Sequence, residues 1–440
     1  MSLLQQLPAE RVETALPDKK PLMTEGEARL EAERCLYCAD APCTQACPTS
    51  IDVPGFIKRI ASGNVRGSAK VIFEQNILGY SCSRVCPVEV LCEGSCVYEA
   101  WQHKPIQIGR LQRYATEKAT NDLAEPLYVR RAASPQTQTS APTKRRVACV
   151  GAGPASLAFA AYLAMEGHQA TLFEKRPLPG GLNATGVAPY KLHAEDALRE
   201  IEWVLSLGAE LKTGVEIGRD VTGAQLLAEY DAVFLGLGLG EDNKLGIPGE
   251  DGPGVVGATE WIEEMKLAKR KRPKLAHVVV VGGGNTALDV ARECAQLGAE
   301  AVMMVYRRGV EDMSGYAHEL EGARKEGVIF VDHAQPVAVL RDASGAVHAL
   351  RVSKRGAEVD LPAAFVALAI GQSKLRSVAQ QFPGVKLDTR GCVIADPKTG
   401  ATGNPKVFSG GDCVNGGKEV VNAVADGRNA ARHLQAVWNG

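Results

Sequence analysis

Eight cysteines crowd into the stretch from Cys35 to Cys96, and no other feature of the chain limits its fold as strongly. They form two runs. The first is Cys35-x2-Cys38-x4-Cys43-x3-Cys47-Pro48. The second is Cys82-x3-Cys86-Pro87, followed by Cys92-x3-Cys96. Short spacings let successive sulfurs converge from one turn, which a cube of iron and sulfide requires of its ligands. A closing cysteine–proline often serves a different cluster from the three cysteines before it. Eight thiolates therefore suffice for two 4Fe–4S clusters. The first run is not the bacterial ferredoxin spacing, because four residues rather than two precede its third cysteine. The competing reading is structural zinc in two four-cysteine sites. The two Cys-Pro endings, and the nucleotide-binding pattern downstream, argue against it. A disulfide framework would need an oxidising compartment. The N-terminus MSLLQQLPAERVE lacks the regions of a secretory signal, so a cytoplasmic protein with reduced thiols is expected.

The 440 residues exceed one ordinary core and predict two to three domains. Fifty basic and 51 acidic residues nearly cancel, which gives no electrostatic reason to expect a nucleic-acid partner. No run of about 18 apolar residues occurs, so no membrane span is expected. Residues 24–34 predict a helix, with Thr24 and Glu27 in a capping-box pattern, and 109–120 predict another. The Ser-, Thr-, Pro- and Gln-rich stretch 130–146 reads as a linker or surface crossing.

Two strand–glycine–helix units follow. The first runs over 147–167, with its next strand at 169–175; the second runs over 277–298, with its next strand at 301–308. In the first, Gly151-x-Gly153-x-x-Ser156 sits between strand and helix. Gly151 permits a tight turn, Gly153 admits a pyrophosphate, and the helix N-terminus offers amide donors. Glu174 lies 21 residues after Gly153, where a carboxylate can accept ribose hydroxyls. The late turn Gly410-Gly411-Asp412 suits a return to the same nucleotide, so the first site is assigned to FAD. Its plain alternative is an Asp-containing loop. The second turn is Gly282-x-Gly284-x-x-Ala287. Arg307 and Arg308 stand where an acidic ribose reader would be, which favours NADP over NAD unless they are a solvated strand end. Ala369, Ile370 and Gly371 look like another close backbone approach to the nicotinamide. Hydride passage between two cofactors needs position rather than a catalytic acid or base, so no catalytic side chain is assigned. A disulfide-reductase dithiol would need a cysteine pair in the nicotinamide unit, and that unit holds only Cys294.

The segments CLYCADAPCTQACP, NILGYSCSRVCPVEVLCEGSCV, GAGPAS, GGLNATGVAPYKL, FLGLGLG, GGGNTALD and FSGGD cover nearly the whole chain. Together they resemble the FAD and iron–sulfur subunit of bacterial NAD-dependent dihydropyrimidine dehydrogenase, within the glutamate synthase small-subunit superfamily. The resemblance implies a helical iron–sulfur domain at 1–140, then α/β structure. That structure would be an FAD-binding domain in two parts, 143–255 and 372–440, with an NAD(P)-binding domain, 256–371, inserted. It implies crossed ligation: Cys35, Cys38, Cys43 and Cys96 for one cluster; Cys47, Cys86, Cys92 and Gln112 for the other, with Cys82 no ligand. FAD would contact Gly151, Ala152, Gly153, Pro154, Ala155, Glu174, Leu182, Lys191, Gly411 and Asp412. The nicotinamide nucleotide would contact Gly284, Asn285, Thr286, Arg307, Arg308 and the Ala369 segment. The eukaryotic NADPH-dependent relative has a further arginine where this chain has Ser314, which tilts the expectation to NAD(H), with NADP(H) the other possibility. The resemblance also implies a partner subunit with an FMN-bearing barrel and a pyrimidine site, in a heterotetramer. The alternatives are a glutamate synthase small subunit and, in another class, a zinc-bearing interaction module.

Overall fold

The computed structural model describes residues 2–121, 127, 144–268 and 275–439. Residues 130–143 of the expected linker lie outside the described residues. The N-terminal part is helical, with principal helices Glu25–Glu33, Val53–Ala61, Val65–Gln75, Gly79–Val85 and Ile108–Asn121. Local chemistry sets their starts. Thr24 and Glu27 exchange hydrogen bonds in a capping box. Asp52 caps Val53–Ala61 through the Gly55 amide at 2.9 Å, and Asn64 caps Val65–Gln75 through the Gly67 amide at 2.8 Å. Phe56, Ile57, Ile72 and Leu111 form the buried centre, and Cys35, Cys43, Cys47 and Cys92 pack at its edge.

Two parallel sheets follow, each Rossmann-like. The first contains β1 (Arg146–Val150), β2 (Gln169–Glu174), β3 (Glu210–Thr213), β4 (Ala232–Leu235) and β13 (Val407–Ser409), in the order β13-β4-β1-β2-β3. The second contains β5 (Val255–Gly257), β6 (His277–Val281), β7 (Ala301–Val305), β8 (Ile329–Val331) and β12 (Phe365–Leu368), in the order β5-β12-β6-β7-β8. Every strand of the second sheet falls between β4 and β13 in the chain, so the second unit is inserted in the first. An antiparallel sheet, β9 (Ala334–Arg341), β10 (Val347–Lys354) and β11 (Ala357–Pro362), lies between β8 and β12 in sequence.

Each glycine turn leads into a helix buried against its sheet. Helix Pro154–Met165 is buried from Ala155 to Ala164, and Phe159 stacks on Phe234 of β4 at 4.5 Å. Helix Val420–Asn439 packs against it. The strand expected at 301–308 stops at Val305. Its neighbour β8 is three residues long, and the ladder ends at the Val305–Val331 pair. Tyr306, Arg307 and Arg308 therefore lie beyond the sheet. The N-terminal arm was not anticipated: Val12 and Leu16 pack into the core of the second sheet, and Leu3 into that of the first. No helix among the described residues is long and apolar enough to cross a membrane.

Candidate functional site

A crevice of about 1660 Å³ runs between the two parallel-sheet units and reaches the cysteine-bearing domain. Gly151 takes φ +89°, and a Cβ there would stand 2.6 Å from the Gly236 carbonyl oxygen, so the turn requires glycine. Its amide donates to Phe173 O at 2.8 Å, which bends the chain tightly over β2. A Cβ on Gly153 would meet nothing within 4 Å; the space in front of the N-terminus of Pro154–Met165 is open to the crevice, as an incoming phosphate needs. Glu174 closes β2, its two oxygens accepting the amides of Ala152 and Arg176, each at 2.9 Å. Gly411 takes φ +77° and donates to Asp426 at 2.9 Å, and burial pushes the Asp412 carboxyl up.

Gly151, Gly153, Pro154, Ala155, Glu174, Leu182, Lys191, Gly411 and Asp412 all line this crevice, as do Asn285, Thr286 and Gly371 from the second unit. The remaining candidates do not. Ala152 is buried under the turn. Gly284 stands just before Asn285, within reach of Ser314; a Cβ there would lie 3.5 Å from its hydroxyl oxygen. Ala369 continues the β6 ladder through its amide on Val281 O at 2.8 Å, and Ile370 packs on the core behind it. Arg307 and Arg308 are exposed, with the Arg308 guanidinium donating to Tyr306 Oη at 2.6 Å.

Between the two glycine turns lies a buried ionic network that sequence reasoning missed. Lys191 Nζ contacts Asp289 at 2.6 Å and Glu319 at 3.0 Å; Tyr190 Oη donates to Asp289 at 2.8 Å. Lys19, from the N-terminal arm, reaches Glu319 at 2.6 Å. Burial works against the Lys191 charge, yet Asp289 and Glu319 outweigh it and hold the ammonium above its usual range. Burial likewise opposes the Glu319 carboxylate, and His318, Lys191 and Lys19 hold it well below the usual range. Tyr316 Oη donates to Glu419 at 2.7 Å and so joins the second unit to the first. One signal was available: Asp289 lies four residues after Asn285, on the same face of helix Asn285–Gln296.

The cysteines of the N-terminal domain fall into two neighbourhoods. Cys35, Cys38, Cys43 and Cys96 surround one nearly apolar cavity walled by Ile57, Ile106 and Ile108. Burial, with Cys96 and Cys35 alongside, pushes the Cys43 thiol up to about 12. Cys47 and Cys86 both lie close to Cys92, whose thiol is pushed up first by burial. Among the described residues no group of three or more His, Cys, Asp or Glu side chains is close enough to hold a metal ion as it stands. Gln112, on Ile108–Asn121, donates its Nε2 to Gly79 O at 2.8 Å. That bond fixes the amide and leaves Oε1 as the atom available to a metal. Cys86 and Pro87 line the large crevice, whereas Cys35, Cys38, Cys43 and Cys96 do not.

The family described as dihydropyrimidine dehydrogenase domain II, 4Fe-4S cluster, matches residues 13–123. The family described as pyridine nucleotide-disulphide oxidoreductase matches residues 145–427. The chain belongs to the pyridine nucleotide-disulphide oxidoreductase family. An iron–sulfur cluster, and FAD with a pyridine nucleotide, follow from these two domains. The chain is 33% identical over 458 residues to the glutamate synthase [NADPH] small chain of Escherichia coli (strain K12), covering 94% of this chain and 95% of that protein. It is 33% identical over 426 residues to the NAD-dependent dihydropyrimidine dehydrogenase subunit PreT of the same organism, covering 97% and 98%. Among solved structures, thioredoxin reductase of T. acidophilum matches with TM-score 0.56 and 21% identity, over 68% of this chain and 100% of that one. FprA of Mycobacterium tuberculosis in complex with NADPH matches with TM-score 0.55 and 20% identity, over 67% and 85%. These two likenesses carry the fold of the family. The chain is thus an NAD(P)H-dependent flavin and iron–sulfur oxidoreductase that takes in electrons.

Proposed function

We propose that this chain is the electron-input subunit of a pyrimidine-reducing enzyme. It would oxidise NADH at the crevice and pass electrons through two 4Fe–4S clusters to a partner. The observation that carries this reading is that Cys86 lines the same crevice as the first glycine turn and as Asn285 and Thr286, which open the helix after the second. Bound there, FAD would exchange a hydride with nicotinamide and single electrons with iron–sulfur clusters.

The chain's own residues would do the positioning. Gly151, Gly153 and the N-terminus of Pro154–Met165 would receive the FAD pyrophosphate, with Glu174 and Asp412 fixing its sugar ends. Asn285, Thr286 and Gly371 would seat the nicotinamide nucleotide. Lys191, kept charged by Asp289 and Glu319, would present a fixed cation to the crevice. Cys47, Cys86, Cys92 and Gln112 would hold the inner cluster, beside the crevice. Cys35, Cys38, Cys43 and Cys96 would hold the outer one. On this reading residues 1–140 are the iron–sulfur domain, 143–255 with 372–440 bind FAD, and 256–371 bind the nicotinamide nucleotide.

Ser314 beside Gly284, in place of a further arginine, supports NAD(H). The partner would be a subunit with an FMN-bearing barrel that reduces uracil or thymine, assembled with this chain in a heterotetramer. The equal identity to the glutamate synthase small chain supports a second reading, in which the partner is an amide-transferring synthase. The test is anaerobic reduction of the purified chain by NADH and by NADPH, with iron, sulfide and flavin counted per chain. Uracil reduction and glutamate formation are then assayed with each partner. The expected result is eight irons, one FAD, faster reduction by NADH, and uracil reduction only with the barrel subunit. Zinc in place of iron, or uracil reduction by the chain alone, would overturn the proposal.

A further inference from the structure

Three consecutive residues of helix Val420–Asn439 touch both the first nucleotide site and the cysteine-bearing domain. Asp426 accepts the Gly411 amide at 2.9 Å, Gly427 sits against the Ala155 carbonyl, and Arg428 reaches into the N-terminal domain. The Arg428 guanidinium donates to Thr49 O at 2.5 Å, to Gln75 O at 2.9 Å and to Gln75 Oε1 at 3.1 Å. A further bond runs to Asn429 Oδ1 at 3.0 Å. Arg428 is 6% exposed, yet each of these partners is neutral. Thr49 is wholly buried and follows Cys47 by two residues. Its hydroxyl lies 3.3 Å from Cys47 Sγ, and the Ser50 amide closes the turn on Cys47 O at 2.8 Å.

We propose that Arg428 is a positioning residue of the inner cluster: it holds the Cys47–Thr49 turn from the first sheet's unit and favours the cluster's reduced form. This inference rests on the assignment of Cys47 as a ligand of that cluster. A ligating cysteine has lost its proton, so only the Thr49 hydroxyl can donate across the 3.3 Å contact. That bond stabilises negative charge on the sulfur. A 4Fe–4S core held by three thiolates and a neutral amide is an anion, and one-electron reduction makes it more so. The hydrogen bond and the buried cation are therefore both worth more to the reduced form, and the low local dielectric enlarges the difference. Arg428 acts on the Thr49 carbonyl, which keeps the turn, and with it the hydroxyl, in place. The carbonyls that end helix Val65–Gln75 offset part of the buried charge. They account for a cation at that helix end but not for its reach to Thr49. No covalent bond changes and no group titrates.

The experiment compares the whole chain with its Arg428→Gln, Arg428→Lys and Thr49→Val variants by redox-poised electron paramagnetic resonance, with iron counted per chain. The expected result is that all three keep both clusters. In Arg428→Gln the inner cluster should be harder to reduce by roughly three- to tenfold in the equilibrium constant, a potential lower by up to about 59 mV for a one-electron couple. Arg428→Lys keeps the charge and should recover most of that shift. Thr49→Val keeps the shape but loses the hydroxyl, and should shift the inner cluster in the same direction. The outer cluster should keep its potential in every variant. An Arg428→Gln protein that melts earlier with both potentials unchanged would reduce Arg428 to a helix-end dock and overturn the inference, leaving the electron-input reading intact. If Arg428→Gln sheds the inner cluster, Thr49→Val decides: an unchanged potential there, with full iron, would overturn it. Equal shifts at both clusters would also do so. Absence of iron from the parent chain would overturn both the inference and the reading beneath it.

Discussion

Glu200 accepts the backbone amide of Tyr80 at 2.8 Å, and so ties the first sheet's unit to the helix that carries Cys82 and leads to Cys86. The same carboxylate accepts the Ser81 amide at 3.2 Å. These amides open helix Gly79–Val85, where intrahelical acceptors are lacking, so a carboxylate from helix Ala194–Ser206 caps it from 120 residues away. Glu200 is wholly buried. Burial pushes its carboxyl up to about 7, against the pull of the Ser81 and Tyr80 donors.

This fixes the sign of a pH effect. The folded carboxyl holds its proton up to about pH 7, whereas the unfolded one loses it near the ordinary value of 4.5. The group's contribution to stability is complete below the unfolded value and is lost as pH rises through the folded one. Glu200→Gln keeps an acceptor oxygen and cannot ionise. The stability of the parent relative to Glu200→Gln should therefore fall by on the order of 3 kcal/mol between pH 4.5 and pH 8. Denaturant titrations of both proteins across that range measure it. A difference that stays flat with pH would show that Glu200 does not titrate there.

Lys191 is the cation between two buried carboxylates, Asp289 and Glu319. Removing it strands them without their shared partner, although Glu319 keeps Lys19 and Arg292. Lys191→Met should destabilise the protein by about 3–5 kcal/mol at pH 7, the usual cost of breaking a buried pair from one side. The Glu319 carboxyl is held low, so its share of the stability is present above the unfolded value and lost as pH falls. The deficit of Lys191→Met should accordingly persist at pH 4 and shrink by about pH 2. Thermal melts at pH 7 and pH 2 check both statements, and an equal deficit at both would contradict the charge argument.

Local features were legible in the sequence. Thr24 and Glu27 sit three residues apart, and their capping box needs nothing beyond the first helical turn. The turns at Gly151 and Gly282 were legible because steric demand and strand–helix spacing act within about thirty residues. What the sequence hid depends on distant contacts. The Cys47-Pro48 ending hints that Cys47 leaves the group of Cys35, Cys38 and Cys43, but not which cysteine joins them; the cavity groups Cys96 with those three, which only tertiary packing decides. Val12 and Leu16 carry no signal that they belong to the second sheet's core. Lys191 and Asp289 meet across 98 positions, and neither has a motif of its own for the pairing. The end of β7 at Val305, which leaves Arg307 and Arg308 in solvent, follows from the shortness of β8, a strand the sequence does not mark.

Gly427 lies where helix Val420–Asn439 crosses Pro154–Met165. A Cβ at Gly427 would collide with the carbonyl oxygen of Ala155, a backbone atom that cannot swing aside. Gly427→Ala should therefore push the first turn of Pro154–Met165 away from the glycine turn. A destabilisation of about 1–3 kcal/mol and a loss of bound flavin are expected. Gly26→Ala is the control: nothing lies within 4 Å of a Cβ there, and alanine in helix Glu25–Glu33 should add up to about 1 kcal/mol. Denaturation and flavin absorbance per chain report both. Full flavin content in Gly427→Ala would show that the helix can give way without disturbing the site.

Cys86 borders the crevice and the Cys43 group does not, and on the proposed reading this asymmetry would order the two cysteine groups along one electron path. Cys92→Ser removes a thiolate from the inner group, and Cys43→Ser one from the outer. Each variant should lose about half its iron, because a 4Fe–4S cluster missing one thiolate is poorly retained. The two should then behave differently. In Cys43→Ser the inner cluster remains next to the crevice, and NADH should still reduce it. In Cys92→Ser the outer cluster remains but is cut off from the crevice, so NADH should reduce it far more slowly than dithionite does. Flavin reduction itself should be nearly unchanged in both, since neither cysteine belongs to the nucleotide turns. Freeze-quenched electron paramagnetic resonance after mixing with NADH, beside a dithionite-reduced sample, separates the cases. If NADH reduced the surviving cluster equally fast in both variants, the electrons would not follow the inner-to-outer order.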